Sequence, residues 1–136
     1  PDDPTYGIFH LDPVQLNGNT WIDVDGSVSH MTAVASDNTL WAWGNNSDYN
    51  LGDGTRMTRN SPTQISSDPI WVDVSSNSLH NGAITTSGNL YTWGRGPYGQ
   101  LGNGDFYFHS TPTLVDDSNS WTQIEFFGQN SIGTVE

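Results

Sequence analysis

The chain has 136 residues, enough for one domain with a real core, and its 15 acidic side chains against 3 basic ones give a formal net charge of -12. The cations are all Arg (Arg56, Arg59, Arg95), so nucleic acid and anionic membrane surfaces are excluded as expected partners, because each phosphate contact needs a cation and gains affinity from counterion release. The absence of Cys removes any disulfide framework or thiolate metal site, and no apolar run approaches the roughly 18 residues that would insert in a membrane.

Aromatics are plentiful, Gly, Asn, Ser and Thr fill the spaces between them, and the apolar residues come in short runs that never keep helical spacing. That pattern predicts an all-β protein. Residues 1–20 read as the end of a preceding, degenerate repeat, because Asp12-Pro13-Val14-Gln15-Leu16 is similar to Ser61-Pro62-Thr63-Gln64-Ile65. The segment Trp21–Val24 alternates apolar and polar and is expected to be a half-buried strand, with Asp23 pointing away from the core. A second strand is expected over His30–Ser36, then an Asp37-Asn38 turn, then a third strand over Thr39–Trp43 that Gly44 ends. A loop rich in residues that tolerate positive φ follows to Gly54, and the fourth strand is placed from Pro62, where a proline is acceptable.

The same order returns over residues 71–120. Trp71–Val74 repeats the first strand, with Asp73 again expected to point outward, Ser87-Gly88-Asn89 is a hairpin turn, Gly94 ends the third strand, and Pro112 opens the fourth. An offset of fifty maps Trp21 on Trp71 and Trp121, His30 on His80, Trp43 on Trp93 and Gly44 on Gly94; thirteen positions are identical between 21–70 and 71–120. They are mostly Trp, Gly, Leu, Pro and His, types that set packing and turns, so the repeat is structural. Residues 121–136 start a third copy, expected to supply about one strand. The chain begins at Pro1 rather than Met, and both ends read as cuts through something longer.

Four short antiparallel strands per fifty residues describe a β-propeller blade. No Gly-Gly pair of the kelch type occurs. The copies resemble the RCC1 (regulator of chromosome condensation) repeat. The second copy carries its pattern at Trp71, Val74, His80, Ala83, Gly88, Leu90, Tyr91, Trp93, Gly94, Gly99, Gln100, Leu101, Gly102, Gly104, Pro112 and Val115. The first copy carries Asn38, Tyr49 and Asn50 where the family prefers Gly, Gly and Gln. The resemblance implies a partial propeller of a wheel that usually has seven blades, with functions ranging from nucleotide exchange on a small GTPase to chromatin binding and plain protein binding. Two copies and two fragments do not close such a ring, so further blades of the same polypeptide or neighbouring subunits are expected to complete it.

His30 and His80 recur with the repeat and are expected to be buried hydrogen-bonding groups rather than ligands or bases. Asp23-Val24-Asp25-Gly26 looks like the opening of a calcium loop, but the twelve-residue window ends at Val34 where a Glu is needed. Asp48, Asp53 and Asp105 sit in the glycine loops and are better read as turn residues. No metal and no cofactor is expected. Phe106, Tyr107, Phe108 and His109 interrupt a polar loop where the first copy has Arg56, Met57, Thr58 and Arg59. These aromatics, with His109, Arg56 and Arg59, are the candidate partner-binding residues, since loops carry specificity on repeat scaffolds. Asn45-Asn46-Ser47 is an N-glycosylation sequon.

With no Cys, no Lys and no G-x-S-x-G or metal-binding His spacing, no enzyme is expected. The preferred expectation from composition is a binding or structural module on an exposed surface, extracellular or on a virion, with a protein or glycan partner. Its most concrete form is a phage or virus component: a fibre, tail or capsid decoration. A bacterial or archaeal surface or secreted adhesion protein comes second, and a regulatory protein-binding propeller of the exchange-factor kind third.

Overall fold

The computed structural model describes residues 18–116, 118, 120–128 and 130–135. The strand expected over Asp12–Leu16 lies outside the described residues. Those described form ten β-strands and no helix. The first sheet runs β1 (Trp21–Gly26), β2 (His30–Ala35), β3 (Leu40–Gly44) and β4 (Arg59–Ser66), and the second β5 (Trp71–Ser76), β6 (His80–Thr85), β7 (Leu90–Gly94) and β8 (His109–Asp116). Each is a four-stranded antiparallel meander with its strands in chain order. A third, two-stranded sheet pairs β9 (Trp121–Phe127) with β10 (Asn130–Val135).

The two full sheets share one register. His30 pairs with Gly44 as His80 does with Gly94, and a bulge falls between Trp21 and Asp23 as between Trp71 and Asp73. Gly44 takes φ 107°, and a Cβ there would lie 2.5 Å from the Ser29 carbonyl oxygen, so the strand can end this way only with glycine. The hairpin turn needs a left-handed residue: Asn38 (φ 64°) supplies it in the first blade and Gly88 (φ 78°) in the second. Tyr49 (φ 62°) and Gly99 (φ 75°) share the same relation in the long loop. Both departures of the first copy from the glycine pattern are therefore side chains held in a backbone conformation that costs an L-residue roughly 1–2 kcal/mol.

Three expectations are corrected. The fourth strands begin at Arg59 and His109, three residues before the prolines. Each is an edge strand, and the register shift between Ala42 and Gly44, or Thr92 and Gly94, takes up the ladder position around Pro62 or Pro112. The third copy supplies two strands rather than one, because the turn at Gly128 leaves enough chain for β10. Asp23 and Asp73 do not point outward. The next blade covers that side of the strand, so that Asp23 and Asp25 are half-buried and bond Val74 and Ser76 while Ile22 and Val24 are exposed.

Each innermost strand has two roles. Its apolar side packs on the preceding blade: Val74 and Trp71 join Val34 and Leu40 in one core, and Ile124 and Phe126 join Ile84 and Leu90 in the next. Its carboxylate side serves the following blade. Asp23 Oδ2 accepts from Val74 N at 2.8 Å, and Asp25 Oδ2 from Ser76 N at 2.7 Å. Burying backbone N–H groups without an acceptor would cost about 1–3 kcal/mol each, so these carboxylates hold successive blades in register.

Candidate protein-binding face

The connection from the third to the fourth strand of each blade is a long loop, anchored by a buried leucine, Leu51 or Leu101, and braced by hydrogen bonds. In the first blade the fully buried Asn46 donates from Nδ2 to Asp53 Oδ1 and to the Thr55 carbonyl, both at 2.9 Å, while its Oδ1 accepts from Leu51 N. Asp53 is also gripped by Arg59, with Nε at 2.8 Å and a guanidinium nitrogen at 2.6 Å from Oδ2. Burial pushes the Asp53 carboxyl up, but hydrogen bonds from Thr55 and Arg59 outweigh it and hold the group below the ordinary aspartate value. Arg59 is therefore a brace of the loop and not a free cation.

The second blade closes the same loop differently. Asn103 stands for Asp53, and His109 for Arg59. The His109 imidazole meets Asp105 Oδ2 at 2.9 Å and Thr113 Oγ1 at 3.0 Å, and Asn103 Nδ2 lies 2.8 Å from its Nε2. The Tyr107 N–H, then His109 across the loop, holds the Asp105 carboxyl below its ordinary value. Asp105 and His109 bracket Phe106-Tyr107-Phe108, so the pair ties off a three-aromatic segment whose side chains face outward. Phe106 is 67% exposed and Tyr107 72%.

These aromatics belong to a larger face. Phe108 meets Tyr49 of the first blade's loop at 6.4 Å between ring centroids, edge to face. Arg56 lies over the Tyr49 ring at 4.6 Å from its centroid, and Arg95 lies 5.9 Å from the Tyr98 ring, both within cation–π reach. Tyr98 and Met57 are more than half exposed. The sequence reading named Phe106, Tyr107, Phe108 and Arg56, of which Phe108 and Arg56 both meet Tyr49, along with His109 and Arg59, which the structure places as loop braces. It missed Tyr49, Met57, Arg95 and Tyr98. The signal was present: between the two copies, positions 45–50 and 55–61 share no identity with 95–100 and 105–111.

The repeated residues sit elsewhere. His30 is buried; its Nε2 donates to Asn81 Oδ1 of the next blade at 2.7 Å, which leaves Nδ1 to accept from Ser27 Oγ. His80, fully buried, accepts from Asn77 Nδ2 and packs edge-on against Phe126. Burial lowers the pKa of His30 and pushes that of His80 down to about 4, so both imidazoles are neutral. Trp71 and Trp93 are buried, Trp93 donating its indole N–H to the Asn50 carbonyl at 3.0 Å, whereas Trp21, Trp43 and Trp121 are half-buried.

Asp23, Asp25, Asp73 and Glu125 line a small groove of about 220 Å³ along the innermost strands. Burial, then the neighbouring Asp23, raises the Asp73 carboxyl to about 6. Asp23 and Asp25 are each engaged with a backbone N–H, and no group of three His, Asp or Glu side chains among the described residues is placed to hold a metal ion.

The solved structures this chain resembles share the architecture. Prp20p of Saccharomyces cerevisiae, in a structure reported with its binding to Gsp1p and histones, matches with a TM-score of 0.80 at 18% identity, over 90% of this chain and 32% of that one. The same yeast RCC1 protein bound to Kap60 matches at 0.86 and 19% identity, over 98% and 34%. Human WBSCR16 matches at 0.74 and 19%, over 85% and 30%. The chain thus spans about a third of each of these proteins, and at such identity the likeness shows the fold. No curated protein sequence matches. The model of the regulator of chromosome condensation (RCC1) repeat matches residues 37–84 and 87–131, and a second model of the same description matches 71–100. Each of the two longer matches runs from the third strand of one blade into the second strand of the next, so the sequence unit carries the very joints described above, and the chain belongs to the RCC1 repeat family.

Proposed function

We propose that this chain is the protein-binding part of an RCC1-type propeller and that it engages its partner through the loop face formed by Tyr49, Arg56, Met57, Arg95, Tyr98 and Phe106–Phe108. One observation carries the reading. The repeat subtracts out what the fold requires, and what remains, at loop positions that differ between the two copies, is a set of exposed and half-exposed aromatics with two guanidiniums lying over tyrosine rings. Aromatic residues, Met and Arg are the types enriched at protein interfaces, and Tyr and Arg supply most hot spots. Two of the similar structures are of Prp20, reported with Gsp1p, histones or Kap60, which supports a protein as the partner class. The reading is that of the regulatory propeller, ranked third on composition; the virion and adhesion readings have composition alone behind them.

The test is affinity capture from the source cells with the wild-type chain and with a Phe106→Ser/Tyr107→Ser variant of matched melting temperature, followed by binding measurements on the purified candidates. Proteins retained by wild type and weakened at least about tenfold by the variant are expected. Equal retention of every partner by both forms would contradict the reading.

A further inference from the structure

We infer that His109 is a proton-operated clasp on the exposed aromatic segment: charged, it holds Asp105 and ties Phe106-Tyr107-Phe108 off as a closed loop, and neutral, it releases Asp105 and turns to Asn103. The inference rests on the reading of these aromatics as the partner-binding face and adds the regulation of that face.

One ring nitrogen carries the argument. His109 Nε2 stands 2.8 Å from Asn103 Nδ2, and 2.9 Å and 3.1 Å from Asp105 Oδ2 and Oδ1. The amide nitrogen can only donate and the carboxylate can only accept. Turning the amide round does not relieve the conflict, because Asn103 Oδ1 accepts from Asp105 N at 3.3 Å and would give up that bond. A protonated Nε2 therefore serves Asp105 and a bare one serves Asn103, never both together. The other ring nitrogen has no such choice. Thr113 Oγ1 gives its own proton to the Thr111 carbonyl at 3.0 Å, so it accepts from His109 Nδ1–H at 3.0 Å in either state.

The choice decides where the loop is tied. Asp105 opens the aromatic segment, and its Oδ1 also caps Tyr107 N at 3.1 Å; His109 ends the segment as the first residue of β8. Charged, the imidazole joins the two ends. Neutral, it moves the tie back to residue 103 and leaves the exposed Phe106 and Tyr107 rings on a segment without its side-chain bridge. The first blade makes the same closure with Arg59 on Asp53, a cation that pH does not alter, whereas an imidazole changes charge between about pH 5 and 8. Asp105 is the only carboxylate within 4 Å of the ring nitrogens among the described residues. From the neighbouring elements, β7 places Gly94 opposite His109 and Arg95 one residue on, and the first blade's loop meets Ser110 through Gly54, beside an Asp53 already bound to Arg59. The clasp is thus closed on the acid side and opens as pH rises.

The test uses the 15N-labelled 136-residue chain alone, followed from about pH 5 to 8, the range in which imidazoles titrate. Long-range 1H–15N correlation is expected to show the neutral His109 ring carrying its proton on Nδ1, the reverse of the form that free histidine prefers. Amide exchange of Tyr107 and Phe108, corrected for its intrinsic pH dependence, is expected to be about two- to fivefold slower at the acid end, the factor a part-exposed ion pair supplies. His109→Gln should erase that difference, and His109→Arg should keep exchange slow throughout. A neutral ring protonated on Nε2, equal corrected exchange at both ends, or a difference that survives in His109→Gln would overturn the assignment. The tautomer is read on the wild type, so a variant that does not fold leaves the test intact. None of these readouts involves a partner: a working clasp on a face that captures nothing would contradict the proposed function alone, and a face that captures its partner through a loop indifferent to pH would contradict the clasp alone.

Discussion

Two buried ionisable residues pull the stability of this protein in opposite directions as pH changes. Burial beside Asp23 raises the Asp73 carboxyl to about 6, above its unfolded value of about 4. Its contribution is therefore in place below pH 4 and lost as pH rises through 6. His80 is lowered to about 4 by burial, so its contribution is present above about 6.5 and lost as pH falls through 4. The separation is made by mutation. Asp73→Asn, which keeps an acceptor for the Ile124 backbone, should melt above wild type at pH 7 and lose that advantage as pH approaches 4; a pH-independent difference would rule out the raised carboxyl. His80→Ala removes a buried partner of Asn77 and the edge contact with Phe126. It should cost roughly 1–3 kcal/mol in chemical denaturation without weakening partner binding by the folded fraction. Neither shift was legible in the sequence. The repeat marked His80 as structural, but the crowding of Asp73 against Asp23 comes from the packing of one blade's inner strand against the next, which composition does not reveal.

At the scale of the element, the blades are held together by contacts that recur one step past the repeat. Asp23 to Val74, Asp25 to Ser76, His30 to Asn81 and Asn77 to Gly128 are each 51 residues apart. A period of fifty maps a residue on its copy, and the next residue along is what it touches. Asp23→Ala should therefore destabilise by about 1–3 kcal/mol, since it leaves Val74 N buried without an acceptor, measurable as a shift of the denaturation midpoint at constant slope. Glycine offers a cleaner comparison. Gly52→Ala and Gly102→Ala both place a side chain at positive φ, at +73° and +66°, but only Gly52 has the Trp93 indole above it. The Gly52 variant should be the less stable of the two, and equal losses would mean that the indole contact carries no weight. The first three strands of each full blade and the hairpin turns were readable from hydrophobic alternation and glycine placement. What the sequence reading misplaced was the inner strand: Asp23 and Asp73 face solvent only if one side of that strand is uncovered, whereas the next blade packs there and engages Asp23 through Val74 N. The fourth strands were shortened in the same reading because Pro62 and Pro112 were taken as starts, whereas an edge strand with a register shift accommodates them inside.

For the whole molecule, the repeat separates the scaffold from the proposed binding face. Residues shared by the two copies make turns, cores and joints; the unshared loop residues make the aromatic and arginine face. About half of that face could be found in the sequence, because Phe106-Tyr107-Phe108 stands out in a polar loop. Tyr49, Arg95 and Tyr98 lie in stretches that differ just as much between the copies, but the contact that joins the two loops, Tyr49 on Phe108 across the blade boundary, is made only by folding. The most direct measurement is hydrogen–deuterium exchange of the chain with and without a captured, purified partner. Slowed exchange concentrated in residues 49–57 and 95–109 is the result expected of a partner seated on the loop face. Protection confined to the innermost strands β1, β5 and β9, with both loops exchanging as in the free chain, would contradict it.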